Sequence, residues 1–430
     1  MNRRRRLLIG AAVAAPLAAL VAAKPRARSG AHDDYFLGLQ SALAEAGLLR
    51  PTLVIDRARL DHNLGRLKAN LPANFAYRIV AKSLPSLPLI EHVRRATGTD
   101  RLMVFHQPFL NLIAERMADA RLLLGKPMPV GAAQRFFAHH RNLDFDAAAQ
   151  IEWLVDTPTR ITEYAELARA RTGEGMGPLR VNFEIDVGLH RGGFGDAQAL
   201  AEALRAVLAE PALQFSGLMG YEAHASKIPG FLGGPRGALA RAMQRYADAL
   251  AAVRETLGAD FDAGALTLNA GGSTTYAMYD GSEPCNELAM GSGLVMPTDF
   301  DVPTLADHQA ACFIATPVLK ALERTDIPGI ESLAGLMRAW DPNTARAFFL
   351  YGGYWLAEPV SPPGLQRNPI WGHSTNQDLY NGSTEVELGV GDHVFFRPHQ
   401  SEFVFLQFGD LAVYDAGRIV ETWPVFTQGA

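Results

Sequence analysis

Between residues 75 and 295 short apolar runs alternate with segments of helical period, and this alternation constrains the fold more than any other feature of the chain. The runs are Phe75–Ala81, Arg101–His106, Arg121–Leu124, Ile151–Val155, Leu179–Asp186, Gln214–Tyr221, Ala265–Asn269 and Asn286–Val295. They are rich in the aliphatic, β-branched and aromatic residues of strands buried between two layers. Most are separated by stretches rich in Ala, Leu, Arg and Glu, clearest in Ala197–Leu208 and Ala238–Leu257. Parallel strands need crossovers, and helices supply them. Eight strands linked in this way predict an α/β fold, a TIM-type (β/α)8 barrel, here over residues 57–301.

The flanks have another character. Tyr35–Gly47 reads as a helix and Pro51-Thr-Leu-Val-Ile-Asp56 as a strand, after which Asp56 caps a helix reaching about Asn70. Residues 31–56 thus form an N-terminal segment whose strand is free to join a sheet elsewhere. From Val302 the pattern changes again. Leu319–Trp340 is mixed, but Ala347–Leu350, Glu385–Leu388, His393–Phe396, Phe403–Phe408 and Leu411–Tyr414 read as short strands between Gly-Asp and Asp-Ala-Gly turns. A C-terminal all-β domain is expected over 302–430.

Residues 1–30 form a leader. Arg3-Arg4-Arg5-Arg6 precedes the apolar run Leu7–Ala23, which Pro16 interrupts and Lys24, Arg26 and Arg28 follow. A charged start, an apolar centre and small residues predict a twin-arginine-like export signal and a periplasmic protein without stable membrane association once the signal is removed. A membrane anchor at the N-terminus is the alternative. Lys and Arg number 40 against 45 Asp and Glu, and no dense basic patch follows the leader, which argues against nucleic acid as a partner. Cys285 and Cys312 are too few for a disulfide framework and lack the spacing of a zinc or redox motif; one bond between them stays open.

Chemistry in such a barrel sits at the carboxyl ends of the strands. The first strand delivers Lys82 there, read either as a solvated charge or as an amine nucleophilic towards a carbonyl. Arg191 falls in a glycine-flanked loop, and Tyr221 and His224 follow the strand ending at Gly220. Taken singly, Arg191 reads as a loop charge, Tyr221 as a rim packing residue and His224 equally as a barrel histidine or a base. The last two strands run into Gly271-Gly272-Ser273-Thr274 and Gly291-Ser292-Gly293. Each alone is a tight turn. Together, their backbone N–H groups and hydroxyls make an anion site where barrels commonly hold phosphate. A strand-end lysine opposite a phosphate site, with no P-loop, points to pyridoxal 5′-phosphate.

Five segments in order carry a resemblance: Arg78-Ile-Val-Ala-Lys82, Glu184-Ile-Asp-Val-Gly-Leu-His-Arg191, Gly217-Leu-Met-Gly-Tyr221, Ala270-Gly-Gly-Ser-Thr-Thr-Tyr276, and Gly391-Asp-His-Val with Pro398-His-Gln-Ser401. From about Pro51 onwards the chain resembles the fold-type III pyridoxal phosphate enzymes, in particular the D-threonine aldolase and D-serine dehydratase branch, with an alanine-racemase-like barrel and a C-terminal β domain. The resemblance implies that Lys82 bonds the cofactor aldehyde, Arg191 lies near its phenolic oxygen and Tyr221 faces its pyridine nitrogen. It also implies phosphate contacts from Gly272, Ser273, Thr274, Gly291 and Ser292, a place for His224 near a small amino acid substrate, and a homodimer.

One position departs from the resembled pattern. That branch holds a divalent metal with a histidine and, two residues on, a cysteine or aspartate; here His399 is followed by Ser401. A neutral hydroxyl is a poor ligand for a first-row ion. Three outcomes are open: Glu402 or Asp392 substitutes, the ion is weak and magnesium-like, or the site is metal-free, the outcome favoured here. Tyr351-Gly-Gly-Tyr-Trp355 also stands where the branch has a segment opening with aspartate; Trp355, Trp371 and His373 are candidates for an apolar substrate mouth, with core packing as the plainer role. The expected activity is a pyridoxal phosphate lyase acting on D-β-hydroxy amino acids. Retro-aldol cleavage to glycine and an aldehyde comes first, dehydration second and racemisation third, with a silent cofactor- or ligand-binding barrel as the non-enzymatic alternative.

Overall fold

The computed structural model describes residues 23–427 apart from Glu174. The arginine cluster and all but the last residue of the apolar leader run lie outside the described residues. Among the described residues no helix is long and apolar enough to cross a membrane. The chain divides into two compact units.

The larger unit contains Ile55–Cys312, His399–Val413 and the described residues from Glu421. Its centre is a closed barrel of eight parallel strands: β2 (Ala76–Val80), β3 (Arg101–Val104), β4 (Arg121–Leu124), β5 (Ile151–Val155), β6 (Leu179–Ile185), β7 (Leu213–Gly220), β8 (Thr267–Ala270) and β9 (Glu287–Met290). The barrel closes where β2 pairs with β9, Ile79 opposite Met290. The sequence pattern identified all eight strands. Its last run, Asn286–Val295, is shortened because Gly291 leaves the strand and Ser292–Leu294 forms a 3-10 turn. Helix α2 (Arg57–Asn70) starts where Asp56 accepts a hydrogen bond from the Arg59 amide at 2.9 Å, the cap the sequence predicts. In β7, Gly217 has φ +147°, and a Cβ there would lie 2.0 Å from the Thr267 carbonyl oxygen, so only glycine lets β7 approach β8 so closely.

The amino-terminal end of the barrel is filled by charge rather than by hydrocarbon. Glu287, fully buried, receives Arg78 Nε at 2.5 Å and Nη2 at 3.0 Å, Arg101 Nη1 at 2.6 Å and Asn269 Nδ2 at 2.8 Å. Burial alone would raise its pKa, but Arg78 and Arg101 hold it below the usual carboxylate range. Glu152 plays the same part across the barrel, accepting from Asn182, Ser216 and Thr267. Between them the two carboxylates link seven strands, β2, β3, β5, β6, β7, β8 and β9.

The smaller unit contains the described residues up to Val54, Phe313–Pro398 and Tyr414–Val420. Helix α1 (Asp34–Glu45) is capped by Asp33. The sheet runs β13 (Gln366–Arg367), β14 (Leu379–Gly382), β11 (Arg346–Leu350), β10 (Cys312–Leu322), β1 (Thr52–Asp56), β16 (Leu411–Asp415), β17 (Arg418–Trp423), and β15 (His393–Pro398) pairs with both β10 and β12 (Ala357–Ser361). The N-terminal strand is therefore a central member of this sheet. Two expected strands are corrected. Glu385–Leu388 contributes only an isolated bridge from Val386 to Gly30. Phe403–Phe408 is not extended: Phe403 has φ +58°, Phe405 N donates to the Ser401 carbonyl, and Phe405–Gln407 is a 3-10 turn. The division read at residue 302 also differs, because His399–Val413 returns to the barrel unit, where the Asp299 amide donates to the His399 carbonyl at 3.1 Å. Within the smaller unit His373 stacks on Tyr354 at 4.4 Å, and Trp371 donates to the Asp326 carbonyl.

Removing the carboxylate at the amino-terminal end of the barrel leaves Arg78 buried without its counter-charge. Glu287→Ala is expected to lose about 3–5 kcal/mol of stability, read as a lower urea midpoint than wild type.

Candidate active site

A cavity of about 470 Å³ opens at the carboxyl ends of the barrel strands. Lys82, Arg191, Tyr221, Gly272, Ser273, Gly291 and Ser292 all line it, together with Glu402 and Phe105. The structure thus brings together seven of the ten residues expected from the sequence.

Lys82 sits in a 3-10 turn, Ala81–Ser83, directly after β2. Its Nζ lies 2.5 Å from Glu402 Oε1 and 4.3 Å from the centre of the Phe105 ring. The Phe105 ring lies against Gly125: a Cβ at that glycine would stand 2.2 Å from Phe105 Cζ. The amine is therefore held between an aromatic face and a carboxylate.

Arg191 is carried by the loop after β6. The Phe194 amide donates to the Glu184 carbonyl at 2.8 Å, and the Asp186 amide to the Phe194 carbonyl at 3.0 Å, which closes the loop back on its own strand. The Arg191 guanidinium carbon is 5.1 Å from the centre of the Tyr221 ring. Burial pushes the Glu184 carboxyl up, opposed by Arg191. Burial likewise raises the Tyr221 phenol, with Glu222 adding to the shift and Arg191 opposing it, so the hydroxyl is neutral at physiological pH.

The next residue was not singled out in the sequence. Glu222 is fully buried and accepts from the Gly271 amide at 3.2 Å and from Thr275 Oγ1 at 2.6 Å, tying the end of β7 to the turn after β8. Burial raises its pKa above the usual range. A buried acid directly after Tyr221 is a signal that the sequence carries. In the turn itself Gly272 lies under Tyr221, where a Cβ would stand 2.7 Å from the ring. The second turn is pinned to the first, because Gly293 N donates to Ser273 Oγ at 3.0 Å. Ser292 Oγ bridges Ser83 Oγ at 3.0 Å and Ser401 Oγ at 3.2 Å.

Behind these turns His308 makes two hydrogen bonds, Nδ1 to the Gly293 carbonyl at 2.9 Å and Nε2 to Tyr276 OH at 2.7 Å. A carbonyl can only accept, so Nδ1 carries the proton and Nε2 accepts from the phenol. Burial lowers the imidazole pKa to about 4.

Three expected residues do not line the cavity. Thr274 offers its carbonyl to Thr304 Oγ1 at 2.7 Å. His224 lies near Gly188, its buried Nδ1 without a hydrogen-bond partner, and burial lowers its pKa with further lowering from His190 and Arg245. His399 shares a hydrogen bond with Thr298 Oγ1 at 2.6 Å. Ser401 is fully buried against Ser292. Among the described residues no three of His, Cys, Asp or Glu come together as metal donors.

A (β/α)8 barrel with a strand-end lysine facing paired hydroxyl–glycine turns defines the class of fold-type III pyridoxal phosphate proteins. Residues 55–299 match the alanine racemase N-terminal domain, and the chain belongs to that family. No curated protein matches the chain. Among solved structures it is similar to D-threonine aldolase from Filomicrobium marinum, at 21% identity and TM-score 0.65 over 87% of this chain and 94% of that one. It is also similar to D-threo-3-hydroxyaspartate dehydratase from Delftia sp. HT23, at 18% identity and TM-score 0.64 over 88% and 98%. Alanine racemase from Bacillus anthracis shares 13% identity with TM-score 0.63 over 87% and 98%. At these identities the likeness is one of fold.

The family uses pyridoxal 5′-phosphate, and the residues present fit that group. The cavity offers an amine, an arginine and two turns in which glycine lets the backbone pack closely against its neighbours. A Cβ on Gly291 would lie 2.8 Å from both Ser83 Cβ and the Val80 carbonyl oxygen.

The His308 geometry fixes a pH dependence. The unfolded chain takes up this proton near 6.5 and the folded chain only at about 4. The contribution is therefore complete above about pH 6.5 and is lost progressively as the pH falls towards 4. Thermal midpoints measured between pH 7 and 4 are expected to fall less steeply for His308→Asn than for wild type.

Proposed function

We propose that the chain is a pyridoxal phosphate-dependent lyase acting on D-β-hydroxy amino acids, by retro-aldol cleavage to glycine and an aldehyde. The observation that carries this reading is the Lys82–Glu402 pair at 2.5 Å, in the cavity that Arg191, Tyr221 and the two glycine turns also line. An amine and a carboxylate at one place supply both a covalent anchor and a proton acceptor.

When bound, the cofactor supplies an electrophilic aldehyde and a ring that takes up electron density from the bond being broken. In this reading Lys82 anchors that aldehyde and, once released, serves as a base. Gly272, Ser273, Gly291 and Ser292 hold the phosphate. Arg191 would lie near the phenolic oxygen, and Tyr221, which carries no positive charge, would leave the ring a modest electron sink. Glu402 accepts the proton of the substrate β-hydroxyl. Among the described residues no three metal-donor side chains come together, and this reading routes no step through a metal. His224 stays outside this scheme because it does not line the cavity.

The neighbouring structures named as a D-threonine aldolase and a D-hydroxyaspartate dehydratase support a β-hydroxy D-amino acid as substrate. Dehydration to a keto acid is the second reading, favoured by the same pair, since a protonated Glu402 can donate to a departing hydroxyl. Export to the periplasm through the Arg3–Arg6 leader and assembly as a homodimer complete the proposal.

Purified wild type is expected to show visible absorbance from the lysine-bound cofactor, and Lys82→Ala to lack it; a wild type that stays colourless after cofactor soaking overturns the reading. With D-threonine, acetaldehyde and glycine are expected, whereas 2-oxobutyrate would select dehydration. Activity is expected to survive EDTA and to gain nothing from added Mn²⁺.

A further inference from the structure

Glu402 belongs to a short loop that is fixed at several points. On one side the Asp299 amide donates to the His399 carbonyl at 3.1 Å, and Gln400 Nε2 donates to Asp299 Oδ2 at 3.0 Å. In the middle, Ser401 is buried against Ser292. On the other side Phe403, two-thirds exposed, takes a left-handed backbone at φ +58°, which is costly for a residue with a bulky side chain. Strain of this kind persists only where the surroundings enforce it. Within this loop the Glu402 carboxylate stands 2.5 Å from Lys82 Nζ.

Lys82 has to change its proton inventory each time it bonds to or leaves an aldehyde, because only the neutral amine attacks. Glu402 is its one carboxylate partner among the described residues. We propose that Glu402 is the proton relay of Lys82, a catalytic residue in loading and releasing the cofactor aldehyde. The carboxylate takes a proton from the ammonium group. The free amine then forms the C–N bond to the aldehyde carbon, and a proton passes from nitrogen to the new oxygen to give a neutral amino alcohol. Protonated Glu402 returns its proton to that oxygen, which leaves as water while the nitrogen lone pair forms the C=N bond. One ammonium and one aldehyde thus give one protonated imine and one water, and Glu402 ends ionised as it began.

The inference rests on the pyridoxal phosphate reading, and the test separates the two. Holoenzyme is stripped with hydroxylamine and remixed with pyridoxal phosphate, and the return of visible absorbance is timed from pH 6 to 9. Glu402→Gln is expected to load about 10²-fold more slowly than wild type, the low end for general acid–base catalysis, and to reach the same final absorbance. Glu402→Asp, which keeps the carboxylate, is expected to recover part of the rate. If Glu402 served only to stabilise the ammonium, its removal would free the amine, so a Glu402→Gln protein that loads as fast as wild type or faster overturns the relay. If wild type itself gains no visible absorbance, the cofactor reading fails and the relay with it.

Discussion

The close approach of β2 and β9 is the constraint on which the site depends. The barrel closes at this seam, in a register that sets Ile79 against Met290. Lys82 and Gly291 therefore leave neighbouring strands at nearly the same height. The contact is too tight for a side chain at 291, and it brings Ser83 within 3.0 Å of Ser292. The seam that closes the sheet thus also sets the amine beside the turn at Gly291 and Ser292, and a shift of register there would part the two.

The charged amino-terminal end and the functional end of the barrel solve the same problem differently. Around Glu287 every acceptor is matched by an arginine or an amide, and the carboxylate is held ionised. Glu222 is held by hydrogen bonds from Thr275 and the Gly271 amide, and its burial raises its pKa. The first arrangement locks strands together. The second positions the turn after β8 beneath Tyr221 through hydrogen bonds to the Gly271 amide and Thr275 Oγ1.

Much of this was legible in the sequence, and the reasons are local. Buried parallel strands read as apolar runs, Asp56 announces its helix, and strand ends followed by glycine and hydroxyl residues expose the turns. What escaped was set by tertiary contacts. The long strand Cys312–Leu322 contains Pro317, and only its first part is fully buried, so it shows no clean alternation. Phe403–Phe408 has strand composition, but contacts to Ser292 and Asp299 fold its approach into a turn. In the sequence Glu402 reads only as a substitute metal ligand, because 320 residues separate it from Lys82 and no spacing rule reaches that far. The same holds for Arg78, which reads as a strand residue and proves to be a buried counter-ion.

Gly125 also extends the reach of the site. Phe105 contacts the amine on one face and approaches this glycine so closely that a methyl group has no room. Position 125 touches the chemistry only through an aromatic plate, yet its smallness sets the height of that plate. The aromatic plate under the Lys82 amine is thus shaped by the hydrogen atom that stands in place of a side chain at position 125.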